Sequence, residues 1–423
     1  MVDTSVREYV NPYPHDAEQG ERFFWSGGPV EVAPNTWYVA LRSGVTAFET
    51  AEGLVLVDSG HSQPAPVMAE KLRVHTTAPV HTAVYTHGHL DHAYGLPAFL
   101  AEGQQRPRVV AHRAMQARFD RYEATGGYNT AINNRQFVGD IDANDRSAAL
   151  TYTRPPIAPD TFYDEGLTLE VGGLTFELHH ARGETDDHTW VFNRDHGVLC
   201  PGDLVIWAVP NAGNPQKVQR YPWEWSAALR AMAAKQPRTM CPGHGAPIID
   251  DPGTIQRLLL ETADYLDAIV EQTVAALNDG APPHVDIVHR VAPPASDSPW
   301  LQPIYDEAEF IVRNVIRYFG GWYSGRPGEL KPAPRSAVAE AVLELAGGAG
   351  PVLARAESAV AAGDLRLACH LADWAVEADP GNPRVREGAA QVYETRAEAE
   401  TSLMAINIYR AAAKYARAGR PFC

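Results

Sequence analysis

Three histidines and an aspartate lie within Thr86-His-Gly-His-Leu-Asp-His92, directly after the apolar run Thr82-Ala-Val-Tyr85. A buried strand cannot continue through side chains this polar, so the strand ends here and hands them to a loop. Imidazole suits zinc and similar divalent ions, and a carboxylate suits a second, harder position. On a strand-end loop His87 and His89 can face one metal, while Asp91 and His92 turn towards a neighbouring one. The chain must therefore fold into something that carries an open site at the end of a sheet.

The flanking segments agree with an α/β class. Thr36 to Arg42 and Gly44 to Thr50 read as strands. Gly53-Leu-Val-Leu-Val-Asp58 is nearly all apolar, and Asp-Ser-Gly stops it. A helix-compatible stretch, Pro66 to Arg73, separates this run from the strand before His87. Further on, Leu167 to Val171 and Leu174 to Leu178 alternate around Gly172-Gly173, a hairpin signature. Thr189 to Phe192 and Gly197 to Asp203 form a second pair.

After residue 250 the character changes. Asp251-Pro252 offers an N-cap and a proline at the first helical position. Ile255, Leu258, Leu259, Thr262, Leu266, Ile269 and Val270 then recur at helical spacing. Ala354 to Asp379 reads as helix, Ala-Gly-Asp turn, helix, and Pro383 to Ala413 offers a second such unit. This is similar to a tetratricopeptide-like repeat. Two units are too few for a free-standing solenoid, so these helices are expected to pack on another surface, as a dimerisation or docking appendage. The expected domains are 1–250 and 251–423.

Composition excludes several classes. At 423 residues the chain has room for two to three domains, and 45% hydrophobic residues supply ample core. A net charge of −16 lacks the basic footprint of a nucleic-acid binder. Cys200, Cys241, Cys369 and Cys423 are scattered, without C-x-x-C pairing, which argues against a disulfide framework or thiolate zinc site. Met1 to Glu21 lacks the apolar core of a signal peptide, and no run approaches the length of a membrane span. The expectation is a cytoplasmic protein with no membrane span.

The H-x-H-x-D-H segment resembles that of the metallo-β-lactamase superfamily, matched in full. The resemblance covers residues 30–250 and implies an α/β fold, an αββα sandwich, with two divalent metal ions, expected to be Zn2+, at the strand ends. It also implies further ligands: Asp203 in Gly202-Asp203, as a bridging aspartate, and His244 in Pro242-Gly-His-Gly245. Between them the superfamily usually has a histidine, whereas Ala181-Arg-Gly-Glu-Thr-Asp-Asp187 places Glu184 there. That glutamate is a mark of the alkylsulfatase branch. Gly321-Trp-Tyr-Ser-Gly-Arg-Pro-Gly-Glu-Leu330 and the helical tail resemble the same branch, whose helical domain dimerises. Gly127 to Arg135 loosely resembles its Gly-Asn…Arg loop. The implied metal set is His87, His89, Asp91, His92, Glu184, Asp203 and His244. The chain stops where longer members carry a sterol-carrier-like domain, and the Arg-Gly that often follows the bridging acid is missing after Asn211.

Two dications against Asp91, Glu184, Asp203 and a hydroxide make a neutral cluster; a histidine instead of Glu184 would leave it positive. A sulfate ester then needs explicit cationic and amide donors. Asn129, Arg135, Asn211, Lys217 and Arg220 are the substrate-binding candidates, with Asp91, His180 and Asn211 as catalytic ones. His180 and His188 flank Glu184 and are candidates to hold the ligands by hydrogen bonds, and Tyr128, Trp207, Trp223 and Trp225 are candidates for an apolar pocket. The expected activity is hydrolysis of an alkyl sulfate ester to alcohol and inorganic sulfate by a metal-bound water, in a homodimer. The alternatives are a lactone, carboxylic ester or phosphodiester substrate on the same site, or a non-enzymatic interaction protein using the tail.

Overall fold

The computed structural model describes residues 23, 25–138, 152–284 and 286–422. The N-terminal segment 1–21 and Cys423 lie outside the described residues. The first sheet runs in sequence order: β1 (Gly27–Ala33), β2 (Thr36–Leu41), β3 (Ser43–Thr50), β4 (Gly53–Val57), β5 (Val80–Val84), β6 (Arg108–His112) and β7 (Thr161–Tyr163). It is antiparallel from β1 to β4 and parallel from β4 to β7. The second sheet contains β8 (Gly166–Val171), β9 (Leu174–His180), β10 (Thr189–Asn193), β11 (Val198–Gly202) and β12 (Thr239–Pro242), in the order β12-β11-β10-β9-β8. The hairpin expected around Gly172-Gly173 is β8–β9, and both glycines take the positive φ that such a turn requires.

Alternation along the strands sets the layers. In β4, Leu54 and Leu56 face one core while Val55 and Val57 face another. The second of these is shared with Phe176, Leu178, Val191, Val198 and Cys200, so it lies between the two sheets. The outer face of the first sheet packs on α1 (Ala65–Arg73), α2 (Leu90–Ala93) and α3 (Ala114–Ala124) through Met68, Leu90 and Phe119. The chain continues there through α4 (Gly126–Asn133) and a π-turn at Asn134–Val138.

The outer face of the second sheet carries Trp190, Phe192 and Leu199. It packs on α5 (Pro222–Ala234) and α6 (Pro252–Asn278), followed by α7 (Asp286–Arg290) and α8 (Ala308–Phe319). Asp251 caps α6 by accepting from Thr254 N at 3.0 Å. The division expected at residue 250 is therefore not a break in packing. Leu258, Leu259 and Leu266 of α6 and Ile311 and Val315 of α8 share one core with Trp190 and Trp225, and these helices complete the αββα sandwich.

The all-α tail has its own core. It comprises α9 (Pro327–Leu330), α10 (Arg335–Ala346), α11 (Ala349–Ala361), α12 (Leu365–Ala378), α13 (Pro383–Glu398) and α14 (Leu403–Arg417). The α11–α12 and α13–α14 hairpins stand where the repeat-like units were expected. Small faces built from Ala356, Ala372, Ala389 and Ala413 let the helices approach closely. The tail also docks back on the sandwich: Asn407 Nδ2 donates to Gln136 O at 2.8 Å, and Leu403 N to Ile304 O at 3.0 Å. Among the described residues, no single helix is long and apolar enough to cross a membrane.

Candidate metal centre

The seven expected ligands come together at the carboxyl ends of the strands. His87, His89, Asp91 and His92 follow β5, Glu184 sits between β9 and β10, Asp203 follows β11, and His244 follows β12. They form two adjoining groups, His87/His89/Glu184/Asp203 and Asp91/His92/His244. In the first, His87 Nε2 is 2.9 Å from His89 Nδ1, and Glu184 Oε2 is 3.3 Å and 3.2 Å from those two nitrogens. In the second, His244 Nε2 is 3.4 Å from Asp91 Oδ2. Asp203 joins them: its Oδ2 is 3.7 Å from His87 Nε2 and 3.3 Å from His244 Nε2, and its Oδ1 is 3.1 Å from His92 Nε2.

The backbone fixes this arrangement. Asp58 N bonds Val84 O, Thr189 N bonds Thr86 O, and Gly243 N bonds Gly202 O. A Cβ on Gly243 would stand 2.1 Å from Asp203 Oδ1, so glycine is required beside the bridging position. The rear nitrogens of three imidazoles are also held. Thr86 Oγ1 is 3.0 Å from His87 Nδ1, Asp58 Oδ2 is 2.8 Å from His92 Nδ1, and Arg42 O is 2.5 Å from His244 Nδ1. The opposite nitrogens are thereby aimed at the cluster.

The residues fit a pair of divalent cations. His92 Nε2, Glu184 Oε2 and Asp203 Oδ1 are buried and have no hydrogen-bond partner among the described residues. Burial, with His92 and His89 beside it, pulls the His87 imidazole down to about 3, so it is a neutral donor. Burial also opposes charge on His244, yet the Asp203 and Asp91 carboxylates carry it up to about 9. Protons thus gather where a dication would otherwise answer the carboxylates.

The other expected site residues separate into three groups. Asn211, Arg220 and His188 support ligands. Asn211 Nδ2 donates to Glu184 Oε1 at 2.5 Å, and Arg220 Nη1 lies 2.8 Å from the same oxygen. Arg220 is thus buried and paired with Glu184, while its Nε has no hydrogen-bond partner among the described residues. His188 stacks on His87 at 4.7 Å and lies 3.1 Å from Pro201 O through Nε2.

Lys217 and Arg135 are only partly buried. Lys217 Nζ donates to Asn133 Oδ1 at 2.6 Å and lies 5.9 Å from the Tyr152 ring centre. Burial and then Arg220 push its ammonium down to about 7, against Glu184 and Asp91, which pull it up. Arg135 lies in the π-turn, and its buried Nε has no partner among the described residues.

His180 and Asn129 are placed elsewhere. His180 Nε2 lies 2.9 Å from Asp186 O, and its ring stacks on His112 at 3.6 Å, so the catalytic role expected for it is corrected. Asn129 spends its amide on Thr125 O and Oγ1 one turn back, at 3.1 Å and 2.8 Å, which corrects its reading as a substrate contact. The four aromatics do not share a pocket either. Trp225 is fully buried, Trp207 donates to Ala246 O, and Tyr128 and Trp223 are exposed.

Several participants escaped the sequence reading. Asp58, seen only as a strand terminator, orients His92 and accepts from Thr86 N at 2.7 Å. Asp187, next to His188, accepts from Gly88 N at 2.8 Å and from Arg118 Nε at 2.7 Å, tying the histidine loop to α3. Tyr152 and Tyr305 belong to segments without motif. Burial first, then the Glu184 carboxylate, raises the Tyr305 phenol well above its usual range, with Asp91 and Asp203 adding and Arg220 opposing. Tyr152 is raised by burial, Tyr122 and Asp91.

Residues 40–244 match the metallo-β-lactamase superfamily, and residues 284–419 match the alkyl sulfatase dimerisation domain. The chain is 28% identical over 368 residues to a linear primary-alkylsulfatase of Pseudomonas sp., covering 82% of this chain and 68% of that protein. It is 26% identical over 390 residues to the alkyl/aryl-sulfatase BDS1 of Saccharomyces cerevisiae, covering 85% and 59%. The solved structure of the stereoselective inverting sec-alkylsulfatase Pisa1 from Pseudomonas sp. superposes with a TM-score of 0.81 at 21% identity, covering 92% of this chain and 66% of that one. That likeness establishes the fold. The chain spans about two thirds of the length of these relatives.

Proposed function

Since the chain joins a metallo-β-lactamase superfamily domain to an alkyl sulfatase dimerisation domain, we propose that it is a metal-dependent hydrolase of alkyl sulfate esters. The observation that carries the reading is the pair of donor groups sharing Asp203, with one carboxylate, Glu184, in the histidine-rich group. The mixed imidazole and carboxylate donors favour zinc as the resident ion. Two such ions, when bound, supply Lewis acidity towards water and towards the sulfate group.

The protein's own groups do the rest. The ester loses its alcohol and gains the elements of water, giving alcohol and hydrogen sulfate. Lys217, whose ammonium is pushed down to about 7 and donates to Asn133 Oδ1, is the candidate hydrogen-bond donor for the sulfate oxygens. Tyr305, whose phenol stays protonated, supplies a donor for a sulfate oxygen or the departing alkoxide. The Tyr152, Tyr305 and Phe137 rings offer apolar surface for the alkyl chain; Phe137 and Tyr305 stack at 6.4 Å.

The reading includes a homodimer. Trp322 is 72% exposed, Trp223 55% and Phe319 45%. Trp223 and Phe319 lie 5.8 Å apart, and Phe319 and Tyr318 4.9 Å apart, so these three rings form a continuous strip, with Trp322 three residues beyond Phe319 in the chain. A second copy is the natural cover for such an apolar surface. Light scattering of the Phe319→Ser/Trp322→Ser variant should show monomer where the unaltered chain shows dimer.

The activity is tested by release of inorganic sulfate from hexyl, decyl and dodecyl sulfate, run beside lactone and phosphodiester panels. Sulfate release restored by zinc after chelation is expected. Turnover of lactones or diesters without sulfate release would overturn the sulfatase reading.

A further inference from the structure

Glu184 divides its two oxygens between different tasks. Oε1 accepts from Asn211 Nδ2 at 2.5 Å and lies 2.8 Å from Arg220 Nη1. Oε2 has no donor among the described residues and faces His87 and His89. Arg220 also donates to the Glu184 backbone carbonyl, so it grips both the side chain and the main chain of the ligand. Both side chains are 3% exposed, which removes the solvent screening that weakens surface pairs.

Arg220 is itself held by α8. Its N–H donates to Asn314 Oδ1 at 3.3 Å, and its carbonyl accepts from Asn314 Nδ2 at 2.8 Å. Arg317 Nη2 in turn donates to Asn314 Oδ1 at 2.9 Å. The main chain that carries the guanidinium is thus built into the fold.

Its charge has a particular place. Asp91, Glu184 and Asp203 are the carboxylates of the two donor groups. Asp187 beside them is answered by Arg118. Among the described residues, Arg220 is the one arginine or lysine ion-paired to a carboxylate of the donor groups. Glu184 and Arg220 together are neutral, so two dications would face only two uncompensated carboxylates and keep a positive field for an anion.

We propose that Arg220 is the positioning partner of Glu184, directing Oε2 at the cluster and cancelling the ligand's charge so that the metal pair can take an anion. This rests on the two-metal reading, whose own test is the metal content of the unaltered protein; the comparisons below isolate Arg220.

Inorganic sulfate is titrated calorimetrically into the zinc-loaded full chain, with bound zinc measured in the same samples. Arg220→Met is expected to weaken sulfate binding about tenfold or more, or to lose zinc from the loaded protein. Replacing the neutral pair by a neutral ligand, in Glu184→His/Arg220→Met, is expected to recover sulfate binding relative to Arg220→Met. A single variant that keeps both zinc and wild-type sulfate affinity would overturn the proposal, as would a double variant no better than the single. Should Arg220→Met not fold, Arg220→Lys carries the test. It keeps the charge but loses the two-point grip, so sulfate affinity should stay within about threefold while zinc, read by competition with a chromophoric chelator, binds more weakly. Unchanged zinc affinity in that variant would overturn the positioning role.

Discussion

Asp58 Oδ2 stands 2.8 Å from Nδ1 of His92, and the same carboxylate accepts from the Thr86 main chain and hydroxyl at 2.7 Å and 2.8 Å. One buried side chain therefore sets the ring orientation of a ligand and anchors the start of the loop that carries three more. Asp58 holds a positive φ of 61° to do so, a conformation a non-glycine residue adopts only when its surroundings fix it.

Replacing Asp58 by Asn keeps the shape but leaves one acceptor oxygen where two served the Thr86 main chain and His92 Nδ1. Zinc affinity is expected to fall about 10- to 100-fold, the range usual for such outer partners. Competition with a chromophoric chelator measures it; unchanged affinity would show that Asp58 acts only on the backbone.

Arg118 and Asp187 form a buried ion pair, 3% and 0% exposed, whose carboxylate also accepts Gly88 N. Arg118→Met strands that charge. A loss of about 3–5 kcal/mol is expected in urea unfolding of the metal-free protein, because the remaining carboxylate is uncompensated.

Gly243→Ala places a methyl 2.1 Å from Asp203 Oδ1. The carboxylate or the β12 turn must move, so bound metal measured by elemental analysis is expected to drop below two ions per chain. Secondary structure by circular dichroism should remain near native, since the clash is local.

Glu307, at the start of α8, is pushed up to about 8 by burial and by Glu400, Asp306 and Glu309, against Arg396. Its folded pKa is raised above that of the unfolded chain, so the folded state binds more protons between about pH 4.5 and 8 and loses stability as pH rises through that window. Glu307→Gln is expected to flatten this slope in unfolding measured across pH 5 to 8. An unchanged slope would move the effect to Asp306, whose buried carboxyl is held up at about 7.

The sequence was informative where side-chain chemistry and chain spacing coincide. His87, His89, Asp91 and His92 are neighbours in the chain, so their convergence needs only a strand that stops. Asp203 and His244 were legible through the resemblance to the metallo-β-lactamase superfamily, which implies further ligands at the ends of later strands. Alternation likewise marked the β8–β9 hairpin, since a residue's face in a strand follows from its parity, and an apolar run stopped by Asp-Ser-Gly marked β4.

What the sequence could not specify were partners distant in the chain. Arg220 reads as a loop cation, yet 36 residues separate it from the Glu184 carbonyl to which it is bound. Asp58 reads as a turn residue, and 34 residues separate it from His92. His180 reads as a neighbour of Glu184, but its ring pairs with His112 at the end of β6 in the other sheet. The sequence alone determined which atoms could hold metal and which strands could deliver them. The tertiary structure decided which charges are matched, because in a buried site that depends on side chains brought together by sheet packing and by the helices after residue 250.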